Sequence, residues 1–211
     1  MIDANGQIRV WVPFWVERLV EKGYVALLVD SFNPRGHKEV CTQMVRPILE
    51  DRERPLDAYG GLQCLLLPCV ANDRVFLMGF THGATGSLYA LNDSGSRLRA
   101  AKRTGIRFAA ALAFNPGCTA ANRNGLKAAV PLAIFIGAAD DWTPAAPCES
   151  LISSAKSAGR EAEIFQLRAH TTALTCQAAR YDCVPTYAIA PTRNWQPVCM
   201  LAATTPRGWR R

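Results

Sequence analysis

Three side chains of this sequence have the types and the order along the chain that covalent acyl transfer requires: Thr81, Asp140 and His170. In that chemistry a hydroxyl attacks a carbonyl carbon, a histidine takes the hydroxyl proton, and a carboxylate holds the histidine. The chain has three histidines. His37 precedes Thr81 and His82 directly follows it, so only His170 fits the order nucleophile, acid, histidine.

The turn around Thr81 carries the most specific pattern. The run Gly-Phe-Thr-His-Gly at residues 79–83 follows a predicted strand and opens a predicted helix, which is the setting of the G-x-S-x-G nucleophile elbow. Such a turn is too sharp for bulky neighbours, and its central residue takes a strained backbone with positive φ. The backbone N–H of His82 would then point into an oxyanion hole. The alternative is an ordinary strand-to-helix turn without a chemical role.

The predicted acid and the predicted base each follow a strand. Asp140 lies in the run Gly-Ala-Ala-Asp-Asp-Trp-Thr-Pro at residues 137–144, where an acid can orient a histidine. Asp and Thr are also good helix N-caps, and Asp140 and Asp141 could divide the two roles. His170 comes just after the fifth predicted strand, and its alternative role is that of a surface-loop histidine.

The elements that must position these groups alternate along the chain. Continuous apolar runs predict five buried strands, at residues 24–29, 74–80, 108–114, 131–137 and 162–167. Helical patterns predict four helices, at residues 10–22, 56–70, 84–91 and 147–159. This alternation predicts an α/β fold, with a mainly parallel sheet and helices on both faces. Sites in such sheets gather at the carboxyl ends of the strands, where all three candidates lie.

The net charge of +7 is unevenly distributed. Residues 171–211 contain five arginines and one aspartate, a net charge of +4, which leaves +3 for residues 1–170. We therefore predict one domain over 1–170 and a divergent basic segment over 171–211. No nucleic-acid function is predicted, because basic and aromatic residues do not interleave along one face. No apolar run is long enough to span a bilayer and no secretory signal is visible, so no membrane partner and a cytoplasmic location are expected.

The eight cysteines form no C-x-x-C pair and have no histidine at zinc-finger spacing, so neither a metal nor another cofactor is predicted. Cys64 and Cys69 lie in an apolar stretch and are predicted to be small core residues. Cys118 and Cys148 each follow the end of a predicted strand. They could approach one another and pair as a disulfide in an oxidising compartment, or remain thiols.

Several of these segments together resemble the dienelactone hydrolase family of the α/β-hydrolase fold, from about Val10 to Ala169. The resemblance is carried by GYVALLVDSFNPRG (23–36), Cys41, RPLDAYGGL (54–62), NDRVFLMGFTHG (72–83), FNPGC (114–118) and GAADDWTPAAPC (137–148). It implies hydrolysis of a small-molecule carboxylic ester or lactone through an acyl-enzyme. Thr81 would take the place of the family's Ser or Cys nucleophile, Asp140 that of the acid and His170 that of the histidine.

Three departures from the family bear on activity. A β-branched threonine at positive φ costs on the order of 1–3 kcal/mol. The family normally has a strand and an HG-type loop before the first helix, and residues 1–9 hold no such motif. Loss of that loop's oxyanion donor typically costs about 10²–10³ in rate. The likeness ends at Ala169, and its loss at both ends leads us to expect a shifted reading frame near His170 and a start internal to a longer protein. A non-catalytic ligand-binding homologue is therefore the alternative function.

Overall fold

The computed structural model describes residues 11–40, 43–92, 105–167 and 186–191. A six-stranded sheet lies at its centre, in the order β1-β6-β2-β3-β4-β5. The strands are β1 (Tyr24–Val29), β2 (Phe76–Phe80), β3 (Ala110–Phe114), β4 (Leu132–Gly137), β5 (Ala162–Leu167) and β6 (Thr186–Pro191). The helices are α1 (Trp11–Glu21), α2 (Glu53–Cys64), α3 (His82–Ala90), α4 (Cys118–Arg123) and α5 (Ala145–Ser157), with a short 3-10 turn at Asn33–Arg35.

Successive residues of a strand point to opposite faces of the sheet. Because apolar residues lie on both faces, helices pack on both faces and bury them. Leu77 and Ile134 belong to the large core cluster that also contains buried residues of α2, α3 and α5. Met78 and Phe80 point to the other side, where Trp15 of α1 packs against them. β2, β3, β4 and β5 pair in parallel. The predicted fold class, a mainly parallel α/β sheet with helices on both faces, is therefore confirmed.

The five predicted strands all form, and the four predicted helices form with shifted ends. The largest shift is in α2, which was expected over 56–70 but spans Glu53–Cys64. The chain turns after Leu65 because Pro68 cannot continue a helix and disfavours helical backbone in the residue before it. Cys64 is consequently exposed, so its predicted core position is wrong. Cys69 is half-buried and packs against the core, as predicted, but it is also disulfide-bonded, which was not predicted.

Two elements were not predicted, the short helix α4 and the strand β6. β6 lies between β1 and β2 and is antiparallel to both. Its first residue, Thr186, is in register with Val29 and with Gly79. Part of the C-terminal segment thus pairs within the sheet, while the division of the chain at residue 170 stays a prediction.

A disulfide joins Cys118, the first residue of α4, to Cys148 in α5. Both residues are buried, and their Cα atoms are 5.0 Å apart, within the usual range for a disulfide. Of the two states left open by the sequence, the structure contains the bonded one. Such bonds persist mainly in oxidising compartments, so this disulfide argues against the cytoplasmic location. The location itself stays a prediction.

Removing this disulfide is expected to lower the free energy of unfolding by about 3–4 kcal/mol, because the bond closes a loop of about 30 residues in the unfolded chain. The measurement is urea unfolding of a Cys118→Ala/Cys148→Ala variant. Cys64→Ala is the matched control, since that thiol is free and exposed, and it should change stability by less than about 0.5 kcal/mol. Equal effects from the two variants would contradict a structural role for the bond.

Candidate active site

Thr81 has a backbone that side chains rarely adopt. Its φ is 45° and its ψ is −112°, and it forms the boundary between β2 and α3. Among the described residues, Thr81 and Asn115 are the only ones other than glycine that have a positive φ. A β-branched residue in this region is a genuine outlier that the surrounding fold must enforce. The sharp strained turn predicted from the sequence is therefore present at Thr81.

The glycine at position 79 is required by the close approach of α3 to β2. A Cβ atom on Gly79 would lie 2.4 Å from the carbonyl oxygen of Gly83 and 2.5 Å from Oγ of Ser87. Ser87 donates a hydrogen bond to that same Gly83 oxygen, at 2.9 Å. The first turn of α3 thus packs directly on the backbone of β2, which is how a strand can turn into a helix within two residues.

The backbone of Thr81 is fixed by hydrogen bonds on both sides. Its N–H donates to the carbonyl oxygen of Phe114 at the end of β3, at 2.8 Å. Its carbonyl oxygen accepts from the N–H of Thr85 at 2.9 Å and from Thr85 Oγ1 at 3.2 Å. By contrast, Oγ1 of Thr81 is buried and makes no hydrogen bond to any residue that the structure describes. A buried hydroxyl without a partner is costly, and it leaves this oxygen available to a proton acceptor.

His82 is the first residue of α3, so its backbone N–H has no partner within the helix. The helix N-terminus also carries a partial positive charge. An N–H in this position suits a developing oxyanion on a carbonyl attacked by the preceding residue. The geometry agrees with the predicted oxyanion role of the His82 backbone, which stays a prediction.

The imidazole ring of His82 is buried behind the elbow. It packs edge-on against Phe32, with ring centroids 5.8 Å apart, and its Nε2 lies 3.4 Å from Oε1 of Glu50. Neither ring nitrogen makes a hydrogen bond of normal geometry. Burial lowers the pKa of His82 to about 3, and the nearby charges of Arg54 and Arg46 act in the same direction. The ring is therefore neutral at pH 7, and its contact with Glu50 is not an ion pair.

Arg54 supplies part of this positive surrounding. Its side chain is buried, Nη1 donates to Oγ of Ser31 at 2.8 Å, and the guanidinium lies 5.2 Å from the centre of the Phe32 ring. Burial lowers the pKa of Arg54 to about 10, so it remains charged at pH 7. A fixed cation at this point disfavours protonation of His82.

The buried imidazole predicts a stability loss in mild acid. The pKa of His82 falls from 6.5 to about 3 on folding, so below pH 6.5 the unfolded chain binds a proton that the folded chain rejects. This group should lower the free energy of unfolding by about 0.7 kcal/mol between pH 7 and 6, and by nearly 1.4 kcal/mol per pH unit at lower pH, until the folded pKa is reached. Urea unfolding at pH 7, 6 and 5 measures it. His82→Gln, which does not titrate, should have a shallower slope, and equal slopes would contradict the assignment.

Asp140 is the buried member of the predicted acid pair, whereas Asp141 is exposed. Its Oδ1 accepts from the N–H groups of Trp142 at 3.0 Å and Thr143 at 2.8 Å. Its Oδ2 accepts from Oγ1 of Thr143 and from Nδ2 of Asn115, both at 2.8 Å. Asp140 thus caps a local turn rather than a helix, since α5 begins later, after Pro144.

The structure brings the elbow and the acid to the same edge of the sheet. The N–H of Thr81 donates a hydrogen bond to the carbonyl oxygen of Phe114, and the carboxylate of Asp140 accepts one from the side chain of the next residue, Asn115. The two predicted groups are therefore each one hydrogen bond away from consecutive residues at the end of β3. The predicted base, His170, lies outside the described residues. Asn115 and Thr85 also belong to this site. The sequence did not indicate them, because the hydrogen bonds from Asn115 to Asp140 and from Gly117 to Thr85 span 25 and 32 residues.

Within the described part of the chain, no group of three or more His, Cys, Asp or Glu side chains is arranged to hold a metal ion. In the same residues, no helix has the length and apolarity to cross a bilayer.

Comparisons with family models and with the sequences of characterised proteins give no match. Among solved structures, esterase PE8 is 16% identical with a TM-score of 0.42, over 67% of this chain and 66% of that chain. A thermophilic esterase from Thermogutta terrifontis is 16% identical with a TM-score of 0.47, over 60% and 56%. Dipeptidyl peptidase 4 from Porphyromonas gingivalis is 16% identical with a TM-score of 0.44, over 62% and 22%. The chain thus spans only part of each, and at these scores the likenesses say nothing about its activity.

Proposed function

We propose that this chain is a hydrolase of the α/β-hydrolase type that cleaves a carboxylic ester or lactone through an acyl-enzyme. The observation that supports it most is the backbone of Thr81, with φ 45° and ψ −112° between a strand and a helix. Strain of this kind clusters at functional sites. A turn with a purely structural role would be served better by glycine, which adopts positive φ without this cost.

Each step of the proposed reaction has a candidate group. Oγ1 of Thr81 attacks the carbonyl carbon, and His170 takes the hydroxyl proton and later gives it to the leaving alcohol. The N–H of His82 stabilises the oxyanion. Asp140 holds His170, and water then cleaves the acyl-threonine ester by the same route. The resemblance to the dienelactone hydrolase family favours a small ester or lactone as substrate.

A second candidate function is ligand binding without catalysis. It is favoured by one observation: Oγ1 of Thr81 is buried, with no hydrogen-bond partner among the described residues. A hydroxyl shielded in this way is poorly placed to meet a substrate. In this case the site would bind an ester or lactone, and the strained turn would be inherited from an active ancestor.

Turnover of short p-nitrophenyl esters and of a dienelactone distinguishes the two functions. A hydrolase should release product faster than a Thr81→Ala control prepared in parallel. If the rates are equal and the same compounds raise the melting temperature, the binding function holds instead. If the rates are equal and no compound stabilises the fold, both proposals are wrong.

A further inference from the structure

Asn115 occupies a strained position next to both halves of the proposed site. Its φ is 51°, and it directly follows β3, the strand between the elbow strand β2 and the acid-bearing strand β4. Asparagine tolerates left-handed backbone better than most residues, but glycine tolerates it at no steric cost. A strained residue persists where its side chain makes a compensating contact, so the contacts of the Asn115 amide are the ones that matter.

The Asn115 amide is directed at the acid. Its Nδ2 donates to Oδ2 of Asp140 at 2.8 Å, and both residues are buried. The backbone N–H of Asn115 donates to the carbonyl oxygen of Phe135 in β4, also at 2.8 Å. The backbone hydrogen bond fixes where Asn115 lies relative to β4. The side-chain hydrogen bond ties the Asp140 carboxylate to the end of β3, whereas three further hydrogen bonds to this carboxylate come from Trp142 and Thr143 in its own turn.

The loop that Asn115 begins is also bonded to the elbow. The N–H of Gly117 donates to Oγ1 of Thr85 at 2.8 Å, and that same oxygen donates to the carbonyl oxygen of Thr81. The next residue, Cys118, is covalently tied to α5 through the disulfide. One short loop is therefore linked to the backbone of Thr81 through the Thr85 hydroxyl, and it contacts the Asp140 carboxylate directly through Asn115.

We propose that Asn115 is a positioning residue, which sets the orientation of Asp140 relative to Thr81 and so the alignment of the proton-transfer chain. This inference rests on the proposed hydrolase function. Neither the family resemblance nor the local sequence assigns Asn115 a role. Misalignment of a catalytic group by about an ångström is enough to slow a reaction substantially, so loss of this amide should act on the chemical step more than on substrate binding.

A double-mutant cycle between Asn115→Gly and Asp140→Asn tests the proposal. Glycine keeps the positive φ and removes only the amide. We expect Asn115→Gly to lower kcat for a p-nitrophenyl ester by about tenfold or more, with KM changed less than twofold. In the Asp140→Asn background, the same glycine substitution should change kcat less than twofold, since the carboxylate that Asn115 orients is gone.

Losses that multiply in the double variant would overturn the positioning role, because Asn115 would then act independently of Asp140. A rise in KM with unchanged kcat would overturn it as well. The urea midpoints of the parent, the two single variants and the double variant separate failure of the positioning role from failure of the proposed function. If the parent chain hydrolyses no ester, the proposed function fails and the catalytic role of Asn115 fails with it, while non-additive midpoints would then assign the contact to stability alone.

Discussion

A serine at position 81 is expected to hydrolyse short esters about tenfold faster than the parent chain, whereas alanine should reduce hydrolysis to the uncatalysed rate. Thr81→Ser keeps the hydroxyl but removes the methyl group that restricts rotation about Cα–Cβ. In the parent chain that hydroxyl is buried and has no hydrogen-bond partner within the described part of the chain. A freely rotating serine hydroxyl can turn toward a substrate carbonyl more readily than the restricted threonine hydroxyl. The measurement is the initial rate with p-nitrophenyl acetate.

Stability provides a control for Thr81 that does not depend on turnover. Thr81→Gly and Thr81→Ala both remove the hydroxyl, but only glycine relieves the positive φ of 45°. The glycine variant should therefore have the higher free energy of unfolding, by about 1 kcal/mol. In the rate measurement, an alanine variant as fast as the parent would show that Thr81 is not the nucleophile, whereas a serine variant slower than the parent would contradict hindrance by the methyl group.

Replacing Gly79 with alanine is expected to lower the free energy of unfolding by about 4 kcal/mol or more, a large share of a typical domain's stability. The added Cβ would lie 2.4 Å from the Gly83 oxygen and 2.6 Å from the Gly83 carbonyl carbon. Both are backbone atoms, so no side-chain rotation can relieve the overlap. β2 and α3 would have to separate, and the elbow between them would be lost.

The matched control for Gly79→Ala is Gly60→Ala. Gly60 lies within α2, and a Cβ there would meet nothing within 4 Å. Since alanine is the better helix former, this variant should be more stable than the parent by about 0.5–1 kcal/mol. Urea midpoints give both values. Similar effects at the two positions would contradict the close packing of α3 on β2.

The elbow was predictable from sequence because all of its determinants are local. The apolar run before Gly79, the glycine spacing and the helix-forming residues after Gly83 lie within about 20 consecutive residues, and each favours the same structure. The continuous apolar strands were predictable for a similar reason, since strands buried on both faces leave a simple pattern. Helix ends were less predictable: α2 was expected over 56–70 but spans Glu53–Cys64.

Features that depend on distant partners were not predictable in this way. β6 is defined by pairing with β1 and β2, which are far from it in the chain, and its own sequence lacks a clear period. Asn115 gave the appearance of an ordinary strand-ending residue before Pro116, and its contact with Asp140 spans 25 residues. From the residues alone, Asp140 and Asp141 could divide the orienting and capping roles between them, and the structure separates them by burial. Side-chain geometry at the ends of strands is set by tertiary packing, which periodicity does not encode.

The central claim is that Thr81 is an acyl-accepting nucleophile, and covalent trapping tests it most directly. A fluorophosphonate reacts with hydroxyl groups that are activated for acyl transfer, and mass spectrometry then locates the adduct. Our account predicts one adduct per chain, assigned by fragment ions to Thr81 and absent from the Thr81→Ala variant. No adduct on the parent chain, or an adduct that persists in Thr81→Ala, would contradict it.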